Sequence, residues 1–287
     1  MKVLVVYKKS FLESHGDRRT VANLDAASRG RFIKSDVENR RAVGDVVAHL
    51  EKLGVRYDAV FRGSLAARRR YDLVVSLGGD GTFFAAARYV NNHTPILGIN
   101  SDPSSSLGLW TCADRFNFRG PLDGALAGNL PAVTLNRMAV VINGKEIPQR
   151  PFNDALFAHR NPAAMTRYRL SINGRAEDQK SSGLWVATAA GSTAGILSAG
   201  GRRMPITSRR LQYLVREPYT WPLRRYRLIR GTAARITLVT YMVESAVWLD
   251  GSRVRCDLRL GDRVELGPGP PLRVLGYDDR RRRRLFP

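Results

Sequence analysis

Over the first 120 or so residues, apolar positions come in short continuous runs separated by stretches of helical spacing. Val3 to Tyr7, Val55 to Phe61, Tyr71 to Leu77 and Pro95 to Ile99 read as strands. Between the first two, Val43, Val46, Val47, Leu50 and Leu53 mark one face of a helix that Gly54 stops. After the third strand, Phe83, Phe84, Ala87 and Val90 predict another helix. Strand alternating with helix predicts an open, mostly parallel, Rossmann-like α/β sheet whose ligand sites lie at the strand C-termini. The polar stretch from Lys8 to Lys34 reads either as a flexible loop or as partly helical.

From about Val133 the period changes. Val133, Leu135, Met138, Val140 and Ile142 run into Asn143-Gly144, and Tyr168, Leu170 and Ile172 into Asn173-Gly174, two hairpin signals. Leu184 to Thr188, Ala234 to Met242, Ser245 to Asp250 and Arg253 to Leu260 add short strands, with Asp250-Gly251 and Gly261-Asp262 as turns. Leu272 to Leu275 reads as a last strand or a return segment. The expected organisation is an α/β domain over 1–122, a mainly antiparallel β domain over 123–277 and a basic tail over 278–287.

Length and composition fit this picture: 287 residues, 44% of them hydrophobic, suffice for two cores. No apolar run reaches the roughly 18 residues of a membrane span, and Met1-Lys2 leads straight into a strand rather than a signal peptide, so a cytoplasmic protein with no membrane partner is expected. Cys112 and Cys256 lie far apart without metal-ligand spacing, as do the four histidines, so the cysteines are expected reduced and no metal site built by the protein is expected. His49 reads as a surface or packing residue and His159 as a strand-end residue near the site.

Charge changes the picture more. Lys and Arg number 47 against 25 Asp and Glu, a formal +22, with runs at Arg68-Arg69-Arg70, Arg224-Arg225 and Arg280 to Arg284. Such a surface attracts polyanions, whether nucleic acid or phosphorylated small molecules. Without a zinc finger, GXXG loop or RNP-like aromatic pair, no specific nucleic-acid partner is expected. The Arg280 to Arg284 tail reads as a solvated, disordered end.

Three stretches carry candidate chemistry. Gly78-Gly79-Asp80-Gly81-Thr82 sits on a strand-to-helix turn, where glycines permit close backbone approach and free amides can hold phosphate. An acid in a phosphate nest repels phosphate unless it holds Mg2+ or takes a proton from an attacking hydroxyl; the alternative is that Asp80 caps the following helix. In Leu184 to Gly201 a strand leads into small residues, with Ser192 and Thr193 offering hydroxyls, which serves either ligand approach or tight packing. Asn153-Asp154 sets an amide beside a carboxylate, suited to a purine edge or a ribose diol, or else to a polar turn.

Together these residues resemble the NAD kinase family. Gly78 to Thr82 matches its GGDGT, Asn153-Asp154 stands where it has Asn-Glu or Asn-Asp, and Gly191-Ser192-Thr193-Ala194 matches its GSTA, in the same order and layout. "GINSDP", "NDALFAH", "SSGLWVATAAGSTA" and "LQYLVREP" are similar to the plant-type NADH kinase branch. The resemblance implies an NAD(H) kinase moving the γ-phosphoryl group of ATP, or of polyphosphate, with Mg2+ or another divalent cation, onto the adenosine-ribose 2′-hydroxyl. It implies Asp80 as the catalytic acid-base residue and Gly78, Gly79, Gly81 and Thr82 against the phosphates. It further places Asn153, Asp154, Ser192 and Thr193 with the dinucleotide, Asn100, Ser101 and Asp102 in a loop lining the pocket, and a homodimer or homotetramer assembled through the β domain. The alternatives are a lipid kinase of the diacylglycerol type sharing the GGDGT turn, or a nucleotide- or RNA-binding protein without the chemistry.

Two departures from the common family pattern bear on substrate. Asp-Gly is usual where Ser182-Gly183 stands, and Tyr where Gly195 stands. An acid near the nicotinamide favours the cationic oxidised ring; Ser182 removes that preference, which favours NADH.

Overall fold

The computed structural model describes residues 1–15, 22–65, 70–90, 93–221 and 226–286. Arg68, Arg69, Arg224 and Arg225, and part of the polar stretch after Lys8, lie outside the described residues. The chain divides into two compact units, Met1–Val133 with Leu272–Leu285, and Thr134–Pro271.

In the first unit β1 (Lys2–Tyr7) pairs in parallel with β2 (Arg56–Phe61) and β3 (Leu73–Leu77), and β3 with β4 (Ile96–Asn100). Every residue of β3 and β4 is buried, the pattern of parallel strands covered on both faces. The short β5 (Ala113–Asp114) also joins β4. The short α1 (Phe11–His15) is followed by α2 (Ala26–Lys52), whose start is capped by Asp25 accepting from the Ser28 N–H at 2.9 Å and whose end meets Gly54 at φ +65. It buries Ala42, Val46 and Leu50 against Val3, Val5, Val75 and Leu97. On α2, His49 is a packing residue, edge-on to Phe118 and 2.7 Å from Asp123. Helix α3 (Asp80–Ala87) follows β3.

The expected boundary at 122/123 falls inside α4 (Arg119–Leu126), whose Leu122 is fully buried in this core. The chain leaves through β6 (Ala132–Leu135). It returns as β19 (Leu272–Leu275), parallel to β4, giving a sheet of order β2-β1-β3-β4-β19-β6. The basic end is not a solvated tail: Asp279–Leu285 forms helix α6 with Arg282 buried and Arg281 bonded to main-chain carbonyls.

The second unit is a sandwich of two six-stranded sheets. One runs β11 (Arg175–Ser181), β10 (Thr166–Ile172), β15 (Ile236–Thr240), β18 (Arg263–Pro268), β7 (Met138–Ile142), β8 (Lys145–Glu146). The other runs β14 (Arg230–Ala233), β13 (Leu211–Arg216), β12 (Gly183–Ala187), β9 (Asp154–His159), β16 (Ser245–Leu249), β17 (Val254–Leu258). All their pairings are antiparallel. Val140, Tyr168, Leu170, Leu238 and Leu266 of the first pack on Phe157, Val186, Leu211, Val247 and Leu249 of the second. Both expected hairpins form, with Asn143 and Asn173 at φ 50 and the following glycines at φ 80 and 76. A four-residue helix α5 (Gly195–Ser198) follows β12. No helix among the described residues is long and apolar enough to cross a membrane.

Candidate active site

In the first unit the GGDGT turn leaves β3 at its C-terminal end. Gly78 stands at φ +156, its N–H bonded to the Ile99 carbonyl at 2.9 Å. A Cβ on Gly78 would run into the Thr82 side chain, and one on Gly79 into the Ser106 hydroxyl. Gly78 therefore lets the turn close on its own Thr82, and Gly79 lets it lie directly against the 100–111 loop. Gly81 is exposed; Thr82 is fully buried and its Oγ1 accepts from Arg62 Nη1 at 3.2 Å.

Asp80 does not cap α3. The cap position is Gly79, and Asp80 is the first helical residue. Its Oδ1 instead accepts the Trp110 N–H at 2.9 Å, and the Leu109 amide also bonds the carboxylate. Burial pushes the Asp80 carboxyl upward; those amides and the Arg281 charge oppose this without cancelling it. A half-buried carboxylate with a raised pKa, held by backbone rather than by a salt bridge, is suited to accepting a proton.

The loop that supplies those amides is braced from below. Asn100 Nδ2 donates to the Ser106 carbonyl at 3.0 Å while its Oδ1 accepts the Asp102 N–H at 3.1 Å, so this buried amide holds the loop's shape. Ser101 bonds Asn39 of α2. Asp102 is buried; burial works against its ionisation, but hydroxyls of Ser105, Ser104 and Ser35 and the charge of Lys8 outweigh that and hold it below the usual range. Lys8, just beyond the end of β1, has its pKa lowered by burial, with Asp102 acting against that and Arg62 adding to it. Lys8 and Arg62 are cations near the carboxyl end of this sheet, where open α/β folds take ligands. Their only signal in sequence is that each stands directly after an apolar run read as a strand.

In the second unit Asn153 stands just before β9 and Asp154 opens it, and their backbone is gripped by a residue that the sequence places only at a strand end and turn. Asp250 accepts the N–H groups of Phe152, Asn153 and Asp154 at 3.1, 2.7 and 3.2 Å. Asn153 Nδ2 donates to Asp154 Oδ2 at 3.3 Å. Burial, and then the Asp250 charge, push the Asp154 carboxyl up to about 7. The GSTA turn is joined to the same strand: the Thr188 N–H reaches the Asn153 carbonyl at 3.0 Å, and Thr188 Oγ1 accepts the Gly191 N–H at 3.1 Å.

Within that turn the two hydroxyls differ. Ser192 is fully buried, donating to the Ala189 carbonyl and accepting the Met204 N–H, both at 2.8 Å, so it serves packing; Thr193 is only half buried.

Asp154 and Ser182 line one cleft of about 400 Å3 together with His159, Trp185, Arg216 and Trp248. His159 Nδ1 lies 2.9 Å from the Asn161 N–H and 3.2 Å from its carbonyl, which ties the ring to the 159–161 turn. Arg216 Nη1 lies 3.4 Å from the Ser182 carbonyl. The Trp185 ring comes within 3.4 Å of where a Cβ of Gly195 would stand, so the tryptophan supplies a flat surface beside the position where the family pattern carries tyrosine. Gly183, at φ +121, has no room for a side chain against the Phe157 carbonyl.

Of the expected residues, Gly78, Gly79, Asp80, Gly81, Thr82 and Asn100 cluster in the first unit. In the second, Asp154 and Ser182 share the cleft, and Asn153 meets the turn that carries Ser192 and Thr193. Among the described residues no three His, Cys, Asp or Glu side chains could together hold a metal ion. A magnesium ion carried on substrate phosphates is held by one or two protein carboxylates together with those phosphates.

Residues 36–117 match the family model of the ATP-NAD kinase N-terminal domain. A probable NADH kinase of Oryza sativa subsp. japonica is 37% identical over 225 residues, 70% of this chain and 69% of that protein. An NADH kinase of Arabidopsis thaliana is 31% identical over 249 residues, 78% of each chain. In fold, an NAD kinase from Archaeoglobus fulgidus, solved in complex with ATP, superposes with a TM-score of 0.71 at 21% identity over 99% of this chain and 96% of the other. Yeast NADH kinase, solved with NADH, gives 0.72 at 16% over 97% and 84%. A turn of this sequence around a backbone-held aspartate, on this α/β-then-β architecture, together with relatives matched over most of both chains, makes the chain a member of the NAD kinase family.

Proposed function

We propose that the protein transfers the γ-phosphoryl group of Mg-ATP to the 2′-hydroxyl of the adenosine ribose of NADH and NAD+, making NADPH and NADP+, with NADH preferred. The observation that carries this is Asp80, a carboxylate of raised pKa held by the Trp110 and Leu109 amides in the GGDGT turn. In the step, the hydroxyl oxygen bonds to the γ-phosphorus, the bond from that phosphorus to the bridging oxygen of ADP breaks, and the hydroxyl proton passes to Asp80. Gly78, Gly79 and Gly81 bring backbone to the phosphates, and Lys8 and Arg62 contribute positive charge. Magnesium arrives on ATP and neutralises its phosphate charge. Asn153, Asp154 and Thr193 hold the adenosine side, while Ser192 and Asn100 support the elements that do so.

The NADH preference has two supports in this chain's cleft. Ser182 carries no charge, and Arg216 beside it, paired only at 3.9 Å with the exposed Glu217, adds a positive group, which disfavours a cationic nicotinamide. The two plant relatives, both named as NADH kinases, support the same reading. A homodimer or homotetramer assembled through the second unit accompanies it, to be checked by sedimentation.

The test is an assay of purified protein with Mg-ATP, and in parallel polyphosphate, against each dinucleotide. Phosphorylated product at the 2′ position is expected with ATP, with higher kcat/KM for NADH. Asp80→Asn is expected to lose about 100- to 10,000-fold in kcat with the fold intact. Wild-type turnover in Asp80→Asn removes Asp80 as the base, and a clear preference for NAD+ removes the NADH assignment.

A further inference from the structure

We infer that the C-terminal segment from Gly276 to Arg281 positions the catalytic aspartate, by gripping from behind the peptide that presents the Leu109 N–H to it and by stacking on the ring of Trp110, whose N–H is the other bond that holds it. The inference rests on Asp80 acting as the base proposed above.

β19 brings the segment alongside β4, and Gly276, at φ +64, lies so close to Cys112 that a Cβ there would stand 2.6 Å from the cysteine Cβ. Tyr277 then stacks on Trp110 with centroids 5.1 Å apart and planes at 15°. Trp110 in turn stacks on Phe83 of α3 at 5.9 Å and 22°. The three rings form a column joining the chain's end, the loop and the helix that begins with Asp80.

Arg281 completes the grip. Its Nη1 donates to the carbonyls of Gly108 at 3.0 Å and Thr111 at 3.2 Å, and its Nη2 to that of Leu107 at 2.6 Å. The Gly108 carbonyl and the Leu109 N–H belong to one planar trans peptide and point in opposite directions. The guanidinium therefore holds one side of the very peptide whose other side bonds the Asp80 carboxylate. A cation on the carbonyl polarises that peptide and strengthens its N–H as a donor. Arg281 also acts on Asp80 directly through its charge. Of the other ionisable groups at this turn, Arg62 is bonded to Thr82, and Tyr277 stays protonated because burial pushes its ionisation upward. A planar fork reaching three carbonyls is a task for arginine that a single ammonium does only in part.

An arginine that merely fastened the chain end would affect melting and leave Asp80 alone. The test compares wild type, Arg281→Ala, Arg281→Lys and the exposed control Arg284→Ala, each checked for fold by circular dichroism. Two readouts are taken: the titration of the Asp80 carboxyl by carbon-13 NMR, assigned with Asp80→Asn, and kcat and KM against pH. In Arg281→Ala the Asp80 titration and the acid limb of kcat are expected to move to higher pH, because hydrogen bonds and a charge favouring the carboxylate are weakened. A drop in kcat of about 10- to 100-fold with KM for the dinucleotide within about twofold is expected, as for a misplaced reacting group. Arg281→Lys is expected between Ala and wild type on both readouts, and Arg284→Ala like wild type.

A folded Arg281→Ala whose Asp80 titration matches wild type overturns the inference, whether or not kcat falls. If Arg281→Ala does not fold, an Arg281→Lys titration identical to wild type does the same. Wild-type protein without phosphoryl transfer would instead remove the kinase reading, and the NMR titration would still decide the positioning.

Discussion

Gly191 lies flat on Asn153: a Cβ on the glycine would stand on top of the Asn153 carbonyl group and 2.8 Å from its Cα. Two motifs separated by nearly forty residues of sequence are thus one piece of structure, with the turn resting on Asn153 at the entry to β9. Gly191→Ala must push the turn off that strand. A loss of about 1–3 kcal/mol in unfolding free energy is expected, as for overpacking elsewhere, together with a raised KM for the dinucleotide. Denaturant unfolding and steady-state kinetics check both, and an unchanged KM would separate the turn from substrate binding.

Asp154 and Asp250 are expected to make the stability of the free protein fall with pH. Native Asp154 keeps its proton up to about 7, whereas an unfolded aspartate releases it near 4. Between those values the native state binds more protons than the unfolded one, so unfolding free energy decreases as pH rises through the window. The contribution is complete below about pH 4 and lost above about pH 7, with a limiting size of about 4 kcal/mol. Asp154→Asn should abolish this slope and gain on wild type at pH 8 relative to pH 5. Equal pH dependence in the two proteins by urea unfolding would show that Asp154 ionises normally.

Ser182 tests the electrostatic account of dinucleotide choice. A carboxylate placed there offsets Arg216 and attracts the oxidised ring. In this half-buried position the effect is worth about 1 kcal/mol, roughly a fivefold shift in the kcat/KM ratio towards NAD+. Measuring both ratios in Ser182→Asp decides it, and an unmoved ratio would locate the preference elsewhere in the cleft.

Gly98 in β4 bears on Asp80 from a different side than Arg281. A Cβ there would collide with the Trp110 carbonyl and stand 2.9 Å from the Thr111 Cα, both backbone atoms that cannot swing away. Gly98→Ala is expected to displace the loop whose amides hold Asp80, lowering kcat by about 10- to 100-fold while nucleotide KM changes little. A variant with normal kcat would mean the loop tolerates displacement.

Much of this protein is legible in one dimension because the physics involved is local. The parallel strands β3 and β4 are buried on both faces and so read as mostly apolar runs, and the Asn143-Gly144 and Asn173-Gly174 turns announce themselves because only such residues accept positive φ cheaply. The tight turn at Gly78 to Thr82 is legible for the same reason, since glycines directly after a strand mark close backbone approach. What the sequence could not disclose depends on partners with no side-chain identity. Asp250 looks like a hairpin residue until its carboxylate is seen on three backbone amides, and Ser192 looks like a ligand hydroxyl until its bonds to Ala189 and Met204 are seen. The basic end reads as solvated charge because Arg281 binds main-chain carbonyls some 170 residues away, which every residue possesses and no pattern marks. Local conformational preference is written in the residues themselves, whereas the pairing of β19 with β4, and with it the seating of the chain's end on the Asp80 loop, is decided only when non-local packing brings the backbone together.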